Sequence, residues 1–346
     1  MPGKEINTLR QVKELSVDPR RSFFSATHEE IAAGATTDVY FVRTYEILRH
    51  LGLADTPVVA EIFARRGGVF AGLPEVLSLL AERPVEIWSL TEGTVFEERE
   101  VVMRLAGPYD QFGLFETTIL GILAHSSGWA TAARQAKEAA QGAAVYCFGA
   151  RHVHPAVAPV MERAAIVGGA DGASCILGAK LAGREPVGTV PHAVFLIVGD
   201  TVEVARAYHR VMPPEAPRLI LVDTFKDEAE EALRVAEALG PDLFGVRLDT
   251  PGERGGVTPE LVREIRARLD QAGYGHVRIF VSGGLNPERI TRLRQAGADA
   301  FGVGSFISSA PPIDMTLDLK VVRGQPLTKR GRIPGITANP KLERVK

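Results

Sequence analysis

Cysteine is nearly absent: Cys147 and Cys175 are the only two in 346 residues. That is too few for a disulfide framework or a four-thiolate metal site, and it fits a reducing compartment. Long apolar runs are missing as well. Stretches such as AVFLIV at 193–198 are far too short to span a bilayer. The opening MPGKEINTLR lacks the apolar centre of a secretory signal. Neither sign of charge is in excess. The 40 Lys and Arg against 42 Asp and Glu leave −2, so no global field favours nucleic acid or an acidic membrane. Any anion must be held by local groups. There is no repeat of fixed period and no low-complexity tract. These absences lead us to expect a soluble cytoplasmic protein with neither nucleic acid nor membrane as partner.

What is there is an ordinary globular balance, 45% hydrophobic and 24% charged, in a chain long enough for a barrel and a companion domain. The first twenty residues are polar and read as a loose arm. Residues 38–51 (DVYFVRTYEILRHL) carry apolar side chains at helical spacing, with Thr36 or Thr37 as cap and Gly52 beyond the end. Strand-like runs at 58–65, 85–90 and 100–107 flank a helical 73–83, which indicates an α+β domain. From 109 to 144 the pattern is helical. Apolar runs then alternate with helical segments: LILVD (219–223), LFGVRLD (243–249), VRIFVSGG (277–284) and DAFGVGS (299–305). Such alternation specifies βα units around a parallel sheet, open or barrel-like. We place an N-terminal α+β domain at 1–125 and an α/β barrel domain at 126–312. A tail at 313–346 returns to β-like sequence and then turns basic and Pro-rich.

In β/α barrels the reactive groups sit where strands finish. Asp223 and Asp249 end two of these runs, each followed by Thr. A carboxylate there can accept from sugar hydroxyls or hold Mg²⁺, or simply cap the next helix. The final two strands end in Ser282-Gly283-Gly284 and Gly304-Ser305. Paired Gly-rich loops after the last strands suit a phosphate. FGARHVHP (148–155) brings together Arg151, His152 and His154; the guanidinium suits a carboxylate or phosphate, while the two histidines lack a third metal ligand at sensible spacing. His192, in GTVPHA, and Lys180 are unremarkable alone.

FGARH, GGADGAS (168–174), GTVPHA (188–193), TTDVY (36–40), VDTF (222–225), VRLDTP (246–251), SGGLN (282–286) and GVGSF (302–306) together resemble the nicotinate phosphoribosyltransferases, in their short archaeal and bacterial branch. The resemblance runs from Phe23 to Lys320. It implies an irregular, incompletely closed α/β barrel plus an α+β sandwich-like domain, in homo-oligomers whose active sites are shared across subunits. It implies that nicotinate and 5-phosphoribosyl-1-pyrophosphate form nicotinate mononucleotide in NAD biosynthesis. Mg²⁺ would assist and ATP would be a co-substrate acting through a phosphohistidine, as in a ligase-type enzyme. By residue, Arg151 would face the nicotinate carboxylate or the phosphoribosyl group, and Tyr40 would stack on the pyridine from a neighbouring subunit. Asp223 and Asp249 would hold ribose hydroxyls and Mg²⁺. Ser282, Gly283, Gly284, Gly304 and Ser305 would cradle the 5-phosphate. Gly168, Gly169 and Ser174 would line the pyridine pocket, and His192 would be the phosphorylated histidine. Zinc is not expected, because the tail has no Cys.

Quinolinate phosphoribosyltransferase shares this barrel but decarboxylates its substrate. It needs a more basic pocket for two carboxylates, and only Arg151, with Arg134 and Lys180 as further candidates, is visible in sequence. An aldolase- or epimerase-like phosphate barrel would explain the Gly loops but not TTDVY or GTVPHA. A non-enzymatic metabolite-binding barrel is a third reading.

Overall fold

A computed structural model describes residues 5–346. The chain divides into two compact units, residues 1–130 with 311–346, and residues 131–310. Along the chain come α1 (Leu9–Glu14), α2 (His28–Ala32), α3 (Val39–His50), β1 (Pro57–Ala64), β2 (Gly68–Val69), α4 (Leu73–Leu79), β3 (Glu86–Ser89), β4 (Val95–Phe96), β5 (Val101–Pro108) and α5 (Glu116–Ala139). The second unit continues with β6 (Ala144–Cys147), α6 (Ala158–Gly168), β7 (Gly172–Ala173), α7 (Ile176–Leu181), α8 (His192–Val198), α9 (Thr201–Val211), β8 (Leu219–Leu221), α10 (Glu228–Leu239), β9 (Gly245–Leu248), α11 (Pro259–Gln271), β10 (Arg278–Ser282), α12 (Pro287–Gln295), β11 (Ala300–Val303) and α13 (Ser305–Ser308). The chain then re-enters the first unit as β12 (Met315–Val322), β13 (Gln325–Pro326) and β14 (Glu343–Arg344).

The first unit is built on an antiparallel sheet of order β13-β12-β1-β5-β3-β14. β1 lies between β12 and β5, with Ile62 opposite Leu317 on one side and Met103 on the other. Its core gathers Ile62, Phe70, Leu80, Ile87, Phe96, Met103, Leu105, Phe112 and Phe115, all essentially without solvent contact. Two expectations change here. The first four residues lie outside the described set, but the rest of the expected loose arm includes α1, whose Leu9 and Val12 pack on this core. The cap of α3 is Asp38, not Thr36 or Thr37. Those threonines are engaged elsewhere: Thr37 donates to the Leu114 carbonyl (2.5 Å), and Thr36 meets Thr118 (3.3 Å). Asp38 itself accepts from Thr117 Oγ1 (2.9 Å), so the TTD segment is tied to the start of α5.

The basic tail has a structural use. Lys329 and Arg332 each approach buried Asp318 to 2.7 Å, Lys341 pairs with Glu100, and Arg344 with Glu86 across the β14–β3 ladder. The tail adds strands to the sheet and supplies its counter-charges.

In the second unit six parallel strands run β7-β6-β11-β10-β9-β8. β7 and β8 are not paired to each other, so the sheet stays open: an incompletely closed barrel. The strand interiors are buried continuously, as LIL in β8 and IFVS in β10. That is why they read as apolar runs instead of alternating ones. Local chemistry starts each helix cleanly. Asp227, Thr258 and Asn286 accept from backbone N–H groups at the heads of α10, α11 and α12, and Pro259 and Pro287 occupy the first positions, where no N–H is needed. Among the described residues no helix is long and apolar enough to cross a membrane.

Candidate active site

The strand ends of the parallel sheet open onto a cavity of about 420 Å³. Its walls include Arg151, Asp249, Ser282, Gly283, Gly284, Gly304 and Ser305. The structure thus brings together seven of the residues singled out in sequence, from four separate strand ends. Neither Asp223 nor Asp249 caps a helix, since Asp227 and Thr258 take those positions.

The node of the cavity is Arg247, inside β9, which the sequence reading missed. Its Nε donates to Ser282 Oγ (3.0 Å), one terminal nitrogen to Thr189 Oγ1 (2.6 Å) and the other to Asp249 Oδ2 (3.1 Å). Ser282 in turn donates to Asp249 Oδ1 (2.7 Å). A planar fork can satisfy three acceptors at fixed angles where an ammonium cannot. The Arg247 guanidinium also lies 5.9 Å from the Phe148 ring centre, and Phe148 stacks at 6.0 Å on Phe280. Gly302 makes room for that ring: a Cβ there would stand 2.5 Å from it. A charged residue inside an otherwise apolar strand was the available signal for Arg247.

Gly283 and Gly284 have φ of 91° and 59°, a region costly for other residues. Arg289, on α12, donates to the Gly284 carbonyl (2.8 Å) and holds this loop. The cavity therefore carries Arg151, Arg247 and Arg289 with His152, against one carboxylate, Asp249.

Asp223 sits deeper. Its carboxylate has no solvent exposure and meets His192 Nε2 through Oδ2 at 3.1 Å. Oδ1 is buried without a hydrogen-bond partner, as is Thr224 Oγ1 beside it. Burial raises the Asp223 pKa above the usual carboxylate value; the bond to His192 opposes this, and the charge of Asp249 adds to it. Two further buried acids support the site. Glu162 of α6 accepts from the Ala150 N–H (3.1 Å), from Ser174 Oγ (3.0 Å) and from the Cys175 N–H, tying the Arg151 turn to the loop after β7. Glu228 accepts from Thr250 Oγ1 (2.8 Å), next to Asp249.

Other candidates go elsewhere. Gly168 and Gly169 form the C-terminal end of α6, with φ of 114° at Gly169, before β7 begins. Arg134 donates to the Gly168 carbonyl there (2.8 Å). Ser174 is engaged by Glu162. Lys180 pairs with Glu185 at the surface. Tyr40 projects from α3 of the first unit with about half of its surface exposed (53%). Among the described residues no three His, Cys, Asp or Glu side chains are grouped as a metal site, and both cysteines are free.

Comparison with known proteins corrects the branch. Residues 38–127 match the family model for the quinolinate phosphoribosyl transferase N-terminal domain, and 129–318 that for the C-terminal domain. The crystal structure of a nicotinate-nucleotide pyrophosphorylase from Pyrococcus furiosus is 46% identical, with a TM-score of 0.87 over 91% of this chain and 82% of that one. The human carboxylating nicotinate-nucleotide pyrophosphorylase is 28% identical, covering 79% of this chain and 86% of that protein. A nicotinate phosphoribosyltransferase of Mycobacterium tuberculosis is 34% identical over 254 residues, 70% of this chain, but the match spans only 53% of that relative. The expected nicotinate branch gives way to these findings. With it fall nicotinate as substrate, ATP as co-substrate, the ligase-type activity and the phosphohistidine assigned to His192. In the structure His192 Nε2 lies 3.1 Å from Oδ2 of buried Asp223. Two family models laid end to end over 38–318, the 46% identical structure and the half-open parallel sheet agree: this chain belongs to the quinolinate phosphoribosyl transferase family.

Proposed function

We propose that the chain transfers the 5-phosphoribosyl group from 5-phosphoribosyl-1-pyrophosphate to the ring nitrogen of quinolinate, releasing pyrophosphate and carbon dioxide and leaving nicotinate mononucleotide. The observation that carries this reading is the charge of the strand-end cavity. Three arginines and His152 face one carboxylate, a surplus suited to two carboxylates and a phosphate. Of these four, the sequence had singled out Arg151 and His152, with Arg134 and Lys180 as the other basic candidates.

The reaction needs a poor nucleophile held in line with an anomeric carbon as pyrophosphate departs. Such alignment can supply roughly 7–11 kcal/mol. We assign the 5-phosphate to the Gly283–Gly284 and Gly304–Ser305 loops, where backbone N–H groups can approach closely. Asp249, fixed by Ser282 and Arg247, faces the positive charge that develops on the ribose. Arg151 takes a pyridine carboxylate, and the face of Phe148 supports the ring. We further assign Tyr40 to the same ring from a neighbouring copy in a homo-oligomer, consistent with its exposure. Decarboxylation then needs no protein nucleophile. The N-ribosylated ring carries a positive charge beside the 2-carboxylate, the C–C electron pair stays on the ring carbon as carbon dioxide leaves, and a proton replaces it.

Mg²⁺ fits the residues in part. The unpartnered Oδ1 of Asp223 and the carboxylate of Asp249 are hard oxygen donors, too few to enclose the ion alone, as suits a cation shared with phosphates. Bound there, Mg²⁺ would neutralise the departing pyrophosphate.

The test is quinolinate labelled in its 2-carboxylate, with phosphoribosyl pyrophosphate and Mg²⁺ and no ATP. One carbon dioxide should be released per mononucleotide formed. Turnover of nicotinate with no release from quinolinate would overturn the reading.

A further inference from the structure

We propose that the opposite mouth of the parallel sheet, where its strands begin, is a second binding site for a flat aromatic acid. A cavity of about 330 Å³ opens there, between the starts of β6, β8, β10 and β11. Closed barrels fill this space with layers of side chains. Here the gap between β7 and β8 leaves it empty, and its walls are suited to a ring. Tyr146 and Phe148 each stack on Phe280, at 5.6 Å and 19° and at 6.0 Å and 11°. Phe244 stands at the rim, 52% exposed, although it follows a fully buried Leu243. Parallel faces of this kind accept a further aromatic ring in offset stacking.

The rim adds a net positive charge. Arg278 pairs with Asp299 at 3.0 Å, which leaves Arg294 as the unmatched cation; its guanidinium donates to the Ala298 carbonyl at 3.1 Å. An aromatic interior with a few charged groups at the entrance, in the ~300–1,000 Å³ range, is the usual form of a small-molecule site. A ring seated against Phe244 in this cavity would share its walls with Arg294, whose guanidinium can take an acidic group. Phe148 is a wall of both this cavity and the strand-end one.

The probe is 2-naphthoate, which has no ring nitrogen and cannot be turned over, so the result stands apart from the transferase reading. It is titrated into the full chain by calorimetry. Phe244→Ala and Arg294→Gln should each weaken binding at least fivefold, whereas Ser305→Trp, which fills the strand-end cavity, should change it less than twofold. Melting curves confirm that each variant folds, and Arg294→Gln decides the matter where Phe244→Ala does not. Loss of binding in Ser305→Trp, retention in both rim variants, or no binding by the unaltered chain would each overturn the proposal.

Discussion

Both units bury charge, and one buried acid in each, Glu61 and Asp223, is treated in opposite ways. In the antiparallel unit Glu61, at the centre of β1 and 1% exposed, is surrounded: Arg104 reaches it at 2.9 Å, the Thr337 N–H at 3.0 Å and Lys320 at 3.9 Å. Asp318, on the neighbouring strand, has Lys329 and Arg332. In the parallel unit Asp223 is buried as completely, yet one oxygen has no partner. Desolvating a carboxylate is costly unless its lone pairs are met. Glu61 has its lone pairs met from its own chain, whereas Asp223 keeps one unmet, as suits the ligand proposed above.

The sharpest way to break the contrast is Glu61→Ala. Removing one partner of a buried ion pair strands Arg104 and should cost about 3–5 kcal/mol, read as a lower urea midpoint. The kcat/KM of the folded fraction should change less than twofold. A large kinetic loss at unchanged stability would show that the first sheet's charges serve the reaction. Next in size is Arg247→Met, which removes the donor that Ser282, Thr189 and Asp249 share and leaves only the direct Ser282–Asp249 bond. We expect kcat/KM to fall by about 10²–10³-fold, the scale of losing a fixed polar group at a transition state. Arg247→Lys should recover little, because a point charge cannot serve three acceptors. Full recovery by Lys would reduce Arg247 to a source of positive charge.

The same contrast explains what could be read in the sequence. The strands of the parallel unit were legible because burial on both faces makes them continuous apolar runs, and Asp223 and Asp249 stood out at their ends. Arg247 and Glu162 were not, since their partners come from distant segments: Thr189 and Ser282 for Arg247, Ala150 and Ser174 for Glu162. The dipeptide Gly-Gly shows the limit plainly. Gly168–Gly169 and Gly283–Gly284 look alike, and three of these four glycines have positive φ. The first pair ends a helix before its strand starts, whereas the second follows a strand and faces the cavity. Only the order of elements around them separates a helix end from an anion loop. The nicotinate-like strings had the same weakness: the chain is similar to relatives of both branches, and the count of arginines around the pocket was hidden until the chain was folded.

Asp223→Asn tests the unmatched lone pair directly. The Asp223 pKa is raised in the folded state, so the folded protein holds that proton more tightly than the unfolded chain. Stability from its protonation is present at low pH and is lost as pH rises through the raised value. Asn should therefore melt at an equal or higher temperature than Asp at pH 7, with the advantage vanishing toward pH 4, while kcat falls by about 10²-fold. A marked loss of melting temperature at pH 7 would place Asp223 with Glu61 among the structural charges.

Glu116, at the head of α5 in the first unit, gives the smallest effect and the most exacting test, because it is a poorly matched acid in the same unit as the well-paired Glu61. Burial first, and the nearby charge of Asp318 second, push its pKa up to about 7, with Lys329 pulling the other way. The sign follows as for Asp223: stability from the protonated carboxyl is complete below its ordinary value of 4.5 and is lost as pH rises through about 7. Glu116→Gln should thus raise the melting temperature at pH 8 by a few degrees, on a scale of roughly 2–8 °C per kcal/mol, and leave it unchanged at pH 4.5. Its kcat/KM should not move at either pH. If activity also falls, the unmatched carboxylate in the first unit is doing the same kind of work as Asp223, and the contrast between Glu61 and Asp223 would no longer follow the boundary between the two units.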